Sequence, residues 1–109
     1  MLWRDAGGLV GDNEDAIENS YARGDASGFN ANVGGLVGFN GTTGTIQSSY
    51  STGYVSGDDI ASHVGGFSGD NENSTLTDFV ADYWDKTTSG TNTAIGYGTD
   101  SVPQVTGKK

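Results

Sequence analysis

"VGGLVGFNGTTGTIQSSYSTGYVSG", residues 33–57, decides how this chain folds. It contains no Cys, His, Lys, Arg, Asp or Glu, while seven of its residues are Gly and eight are Ser or Thr. With so little to react, its role is geometric. The same pattern runs through residues 6–28 as "AGGLVGDNEDAIENSYARGDASG". Gly7 and Gly34 lie 27 positions apart, but Tyr21 and Tyr50 lie 29 apart. The second copy therefore carries two extra residues between Gly38 and Ile46, in "NGTTG", which has the composition of a loop. A third copy opens at "VGGFSGDNENSTL" (64–76) and then diverges into "TDFVADYWDKTTSG". Divergence is what a terminal copy shows when it caps a stack. The copies at 6–28, 33–57 and 64–90 thus form one repeat domain over residues 1–90, and residues 91–109 read as a C-terminal linker or tail.

Comparison of the copies separates what the fold dictates from what faces water. Gly8, Gly35 and Gly66 recur, Leu9 and Leu36 give way to Phe67, and Ile17 and Ile46 align with Leu76. These nine are the expected structural positions. Asn13, Asn40 and Asn71 follow the third Gly of each copy. By contrast Arg23 faces Thr52 and Asp25 faces Tyr54, exchanges expected of outward positions. From residue 20 the small residues Ser20, Ala22, Gly24 and Ala26 alternate with Tyr21, Arg23 and Asp25. Ser49, Ser51, Gly53 and Val55 do the same in the next copy. Period two is the signature of strands, here with small side chains inward. Ile17 and Ile46 have the wrong parity for that face, so a turn or bulge is expected between the Ile and the Ser. A unit of two or three short strands cannot bury its own apolar face, but stacked copies can. The expected fold is all-β: a short parallel β-helix of about three coils, right-handed by the general crossover preference.

Bulk properties agree and narrow the function. The chain has 109 residues, enough for one domain, with 33% apolar residues and 19 Gly. Fourteen acids against five bases give a formal charge of −9, which repels phosphate backbones and argues against nucleic-acid partners. No apolar run approaches membrane-spanning length, so membrane insertion is not expected. With no Cys, disulfides and thiolate metal sites do not arise.

The copies "GGLVGDNEDAIENSYARGDASG" and "VGGLVGFNGTTGTIQSSYSTGYVSG", with the closing "YWDKTTSG", resemble the GLUG repeat over roughly residues 6–90. The resemblance implies a segment of a large bacterial secreted or cell-surface protein, of the haemagglutinin-like adhesin, autotransporter or immunoglobulin-A-protease type. In such proteins the repeat is a β-solenoid stalk or adhesive segment and not the catalytic part. The resemblance also makes "GYGTDSVPQVTGKK" a linker cut short, and the chain an excised fragment. This sequence departs from the pattern at Asp12 and Asp70, which stand where the middle copy has Phe39.

Candidate chemistry is sparse. Asp12, Asp15, Asp70 and Glu72 sit in equivalent acidic loops and could offer oxygens to Ca²⁺. The loops match no known calcium motif, and solvated loop acids are the competing and preferred reading. Asp58/Asp59 or Asp82/Asp85 could act as a glycosidase pair only if set around a cleft, which nothing in the sequence provides. Ser62, His63 and Asp58/Asp59 can be drawn as a triad, but triads are geometric and His63 is expected exposed at the start of a coil. No catalytic residue and no cofactor is therefore assigned, and the chain is read as non-enzymatic. Tyr21, Tyr50 and Tyr54 are the strongest binding candidates, for a glycan or a host-surface protein. The competing reading, a structural aromatic ladder between coils, outweighs it. Tyr83 and Trp84 are expected to cap the last coil and Trp3 the first, since a solenoid end exposes core and strand edges. Uncovered ends would favour end-to-end self-association.

Overall fold

The computed structural model describes residues 4–29, 31–57, 62–73, 79–98 and 105–109. Short strands dominate and every pairing is parallel. The first sheet is β1 (Arg4–Gly7), β6 (Ala31–Gly34) and β11 (His63–Gly65). The second is β2 (Val10–Asn13), β7 (Val37–Asn40), β12 (Ser68–Asn71) and β15 (Ile95–Gly98). A third contains β3 (Ala16–Glu18), β8 (Thr45–Gln47) and β13 (Phe79–Val80). A fourth contains β4 (Tyr21–Ala22), β9 (Tyr50–Ser51), β14 (Asp82–Asp85) and β16 (Val105–Lys108). The last pairs β5 (Ala26–Gly28) with β10 (Val55–Gly57). Each strand thus bonds to its counterpart in the neighbouring copy, which is the arrangement of a parallel β-solenoid.

The registers follow the sequence repeat. Gly7, Gly34 and Gly65 align, as do Asn13, Asn40 and Asn71, and Tyr21 and Tyr50. Gly8, Gly35 and Gly66 stack where no room is left for a side chain. A Cβ on Gly8 would strike the Gly35 carbonyl oxygen, one on Gly35 would strike that of Gly66, and one on Gly66 would strike the Trp84 indole. Close approach, rather than an unusual backbone angle, fixes these three glycines.

The expected turn between Ile and Ser is present. Asn19, Ser48 and Ala81 have φ of 50°, 52° and 56° and reverse the inward parity between β3 and β4, β8 and β9, and β13 and β14. Beyond it Ala22, Ala26, Ser49, Ser51 and Val55 are buried, and Tyr21, Arg23 and Asp25 are exposed. At this bend the side chain of one layer serves the backbone of the layer before. Ser20 N donates to Ser49 Oγ (3.2 Å), and Ser49 N donates to Asp82 Oδ1 (3.0 Å).

The main core joins Ile17, Leu36, Val37, Ile46, Phe67, Phe79, Trp84 and Ile95, with Phe67 and Phe79 edge-to-face at 5.7 Å. A smaller cluster of Ala26, Ala31, Val33 and Val55 lies between the first and last sheets. Four expectations are corrected here. Phe79, not Leu76, takes the Ile17/Ile46 position, because the loop from the Asn to the apolar strand residue lengthens from copy to copy; Leu76 lies outside the described residues. Leu9 is not core: it belongs to the outermost layer described and is 45% exposed, whereas Leu36 is covered on both sides and fully buried. Tyr83 and Trp84 do not cap an end; they continue the third copy in register with Tyr50 and Ser51, Tyr83 outward and Trp84 within the core. Residues 91–109 are not merely a tail. "AIGYG" (94–98) repeats "LVGFN" in weakened form and adds β15 beneath β12, and β16 pairs with β14.

One helical turn, α1 (Lys86–Ser89), leaves β14. Asp85 caps it by accepting from Thr87 N and Thr88 N, and Gly90 at φ 80° ends it in the left-handed conformation. No helix among the described residues is long and apolar enough to cross a membrane. The principal extents are 30 × 30 × 22 Å, so a stack this short is a disc and not a rod.

Candidate binding face

Sheet four presents the aromatic column. β4, β9 and β14 each begin just after or one residue beyond the positive-φ turn, so Tyr21, Tyr50 and Tyr83 point outward while Ala22, Ser51 and Trp84 point in. Tyr21 and Tyr50 stack with ring centroids 5.2 Å apart and planes 8° from parallel. Their exposures are 54% and 42%, and Tyr83 follows at 39%. Stacking hides the facing sides of the first two rings, the geometry of a structural ladder. Tyr83 shares the column but not the stack; the Lys108 ammonium lies 5.0 Å from its ring centroid instead. An open groove of about 230 Å³ lies beside Tyr50 and Tyr83, lined also by Ser51, Thr52, Trp84, Asp85 and Lys108. Tyr54 is exposed, but its ring sits against Gly90 at the end of α1 and outside this column.

Of the acidic candidates, Asp12 and Asp70 lie on the second sheet, and Asp15 and Glu72 lie in the loops that follow it. Asp12 and Asp70 share one column but are two layers apart, with Phe39 between them. Asp15 is exposed in the loop beyond, its backbone carbonyl accepting from Thr45 N and Asn13 Nδ2. Asp70 is buried, which corrects its reading as a solvated loop acid. Burial, helped by the neighbouring Glu72 carboxyl and by Asp5, pushes its pKa up to about 7. Its Oδ1 has no hydrogen-bond partner. Glu14 is raised chiefly by sharing a hydrogen bond with Asp12. No group of three or more acidic or imidazole side chains able to hold a metal occurs among the described residues.

His63 is not simply exposed. Its Nδ1 lies 2.9 Å from Asn32 Oδ1, and Asn32 Nδ2 donates to Asp5 Oδ1 at 2.9 Å. Since the Asn32 amide nitrogen is turned to Asp5, its oxygen accepts from His63, so Nδ1 carries a proton. The imidazole also stacks on Tyr97 at 4.4 Å. Ser62 Oγ accepts from Ala31 N at 3.1 Å and is used in the stack. Asp58 and Asp59 lie outside the described residues. Asp82 is buried beneath Ser49 and Asp85 caps α1, so these two carboxylates serve separate structural ends.

The middle layer, from β6 to β10, is the stretch to which the GLUG motif description applies, over residues 29–56. Residues 29–56 match the family model described as the GLUG motif. No curated protein and no solved structure matches the chain. Within the GLUG motif Leu36, Val37 and Ile46 are fully buried, and Asn40 links the flanking copies: Asn13 Nδ2 donates to Asn40 Oδ1 (2.8 Å) and Asn40 Nδ2 to Asn71 Oδ1 (2.9 Å). Tyr50 is the one aromatic of the column inside the GLUG motif. The groove lies where the motif meets the following layers, and sequence reading missed its other walls. Tyr83 was hidden by the divergence of the third copy. Lys108 reaches the groove through the pairing of β16 with β14, which no repeat in the sequence announces.

Proposed function

We propose that this chain is a non-catalytic structural and adhesive repeat segment, a stalk or spacer of a bacterial cell-surface or secreted protein. It is built as a right-handed parallel β-helix of about three coils and works without a cofactor. The observation that carries the reading is that equivalent residues of successive copies stack in register, Asn on Asn and Tyr on Tyr. A chain of this kind gains length by adding layers, at about 4.8 Å each. Contact between outer layers is the end-to-end self-association this reading expects, and the acidic surface disfavours nucleic acid.

Tandem insertion of three further copies of residues 34–64 after residue 64 tests the spacer role. Small-angle scattering should show one dimension lengthened by roughly 14 Å, with a single cooperative melt. Inserted copies that stay unfolded, or that form a separate body, would rule the role out. A second reading, a glycan- or protein-binding face on Tyr21, Tyr50 and Tyr54, is favoured by their exposure of 54%, 42% and 53%.

A further inference from the structure

We propose that the groove between Tyr50 and Tyr83 binds one ring of a neutral polysaccharide, with Asp85 and Lys108 holding its hydroxyls. The proposal rests on the glycan reading of the tyrosine face, moves it away from Tyr21 and Tyr54, and is independent of the spacer role. Three features point to it. First, the Tyr21–Tyr50 step is closed by stacking, whereas the Tyr50–Tyr83 step is open and leaves aromatic surface facing about 230 Å³ of groove. A pyranose presents an apolar C–H face that suits such a wall, and this volume suits a single ring. Second, Asp85 and Lys108 are register partners at one rim. Asp85 uses Oδ1 for Thr87 N and Thr88 N, and those contacts hold its pKa below the usual carboxylate range. It is thus a fixed, ionised acceptor. Lys108 makes no ion pair among the described residues; its ammonium rests over the Tyr83 ring, a contact that leaves its N–H groups able to donate. A carboxylate acceptor and an ammonium donor, both lining an otherwise apolar groove, can each meet a sugar hydroxyl at its rim. Third, charge selects among sugars. Asp85 in the wall and a net charge of −9 oppose a uronate or sulfated chain, while a neutral one meets no such barrier.

Two positions beyond Tyr83 on the same strand, Asp85 pairs with Lys108, so polar groups flank the aromatic line at this end of it. Layers about 4.8 Å apart approximate the rise of one sugar in an extended chain, which favours a polymer lying along the axis over an isolated monosaccharide.

The test is titration of the intact chain with cellotetraose, mannotetraose, galactotetraose and tetragalacturonate, followed by backbone amide shifts. At least one neutral tetrasaccharide should bind, shifting Thr52, Trp84 and Asp85. Lys108→Ala and Tyr83→Ala should each weaken binding at least fivefold, with Tyr21→Ala unchanged. Asp85→Asn keeps an N-cap acceptor and so the fold; it should weaken binding without lowering the melting temperature. Absence of neutral-sugar binding, or tighter binding of tetragalacturonate, overturns the proposal and the glycan reading or its charge logic respectively. Binding lost in Tyr54→Ala or Tyr21→Ala but kept in Tyr83→Ala leaves a glycan face and overturns this site. Shifts at the groove that follow protein concentration instead of sugar assign it to a second copy and also overturn it.

Discussion

Substitution of Gly35 by Ala tests the stacking most directly. The added methyl has no free space: it would overlap the Gly66 carbonyl oxygen of the next layer and lie 2.8 Å from Ser51 Oγ. Neither neighbour is a flexible side-chain tip. The carbonyl belongs to a backbone held by the sheets on either side, and Ser51 Oγ is already donating to that same oxygen at 2.8 Å. Relief therefore requires the two layers to separate locally. Overpacking of this kind costs about 1–3 kcal/mol, and loss of the buried Ser51 hydrogen bond adds about 1 kcal/mol. A total of about 2–4 kcal/mol corresponds to a fall in melting temperature on the order of 10–20 °C for a domain of this size. Gly24→Ala is the matched control, because a Cβ there meets nothing within 4 Å. It should be neutral or slightly stabilising through reduced freedom of the unfolded chain. Urea unfolding and thermal melts followed by far-ultraviolet circular dichroism and tryptophan emission measure both. Equal stabilities for the two variants would refute the reasoning, since position 35 would then not face the next layer.

Asp70 gives a pH dependence with a defined sign. Its folded pKa, about 7, lies above the ordinary 3.8, so its contribution is complete below the lower value and is lost as pH rises through the higher. Melting temperature should thus decline between these limits in the native chain, and Asp70→Asn should flatten that slope. Asp82→Ala removes the acceptor for Ser49 N and should cost about 1–3 kcal/mol in a urea titration, while Asp82→Asn, which retains an acceptor, should cost much less. Asn40→Asp replaces the donor that reaches Asn71 Oδ1 and Gly44 O with an acceptor. It should destabilise by about 2–4 kcal/mol at neutral pH, and the loss should shrink as the pH falls and the new carboxyl gains a proton.

The sequence carried the layering clearly but the outer layers poorly, for a physical reason. Gly8, Gly35 and Gly66 are legible because backbone contact leaves no alternative residue, and Tyr21 and Tyr50 because both point outward from the same turn. Phe79 was concealed by loop length: register is set by hydrogen bonds between layers, while loops between strands are free to grow. "AIGYG" was concealed because its role needs only small or apolar residues in and anything out, a demand too weak to recognise without the partner strand. The binding groove was half legible. Tyr50 is inside the motif, but Asp85 and Lys108 meet through β14–β16 pairing, which spans 23 positions of sequence with no repeat to guide it. His63 was underestimated because its partner Asn32 is one layer away and Asp5, which holds Asn32, is two, on strands that a linear reading does not bring together.

The modest apolar content is itself explained by this arrangement. In the middle layer the interior includes Ala31, Val33, Leu36, Val37 and Ile46 together with Asn40, Ser49 and Ser51, all essentially inaccessible. Burying these three polar side chains among the apolar ones would destabilise an isolated unit, because each unpaired group costs several kcal/mol in desolvation. Here each finds a partner along the axis: Asn40 with Asn13 and Asn71, Ser49 with the backbone of Ser20, and Ser51 with the carbonyl of Gly66. The polar interior is satisfied only by neighbours, so it favours stacking as strongly as the apolar contacts do. The same dependence reaches the outer layers. The first copy, paired on one side only among the described residues, keeps Asn13 in the ladder although Leu9 lies half in water, and the third, paired on both sides, keeps Asn71 while Trp84 takes the place of Ser51. The Asn ladder is thus the interior feature common to all three copies, held by side-chain hydrogen bonds from layer to layer.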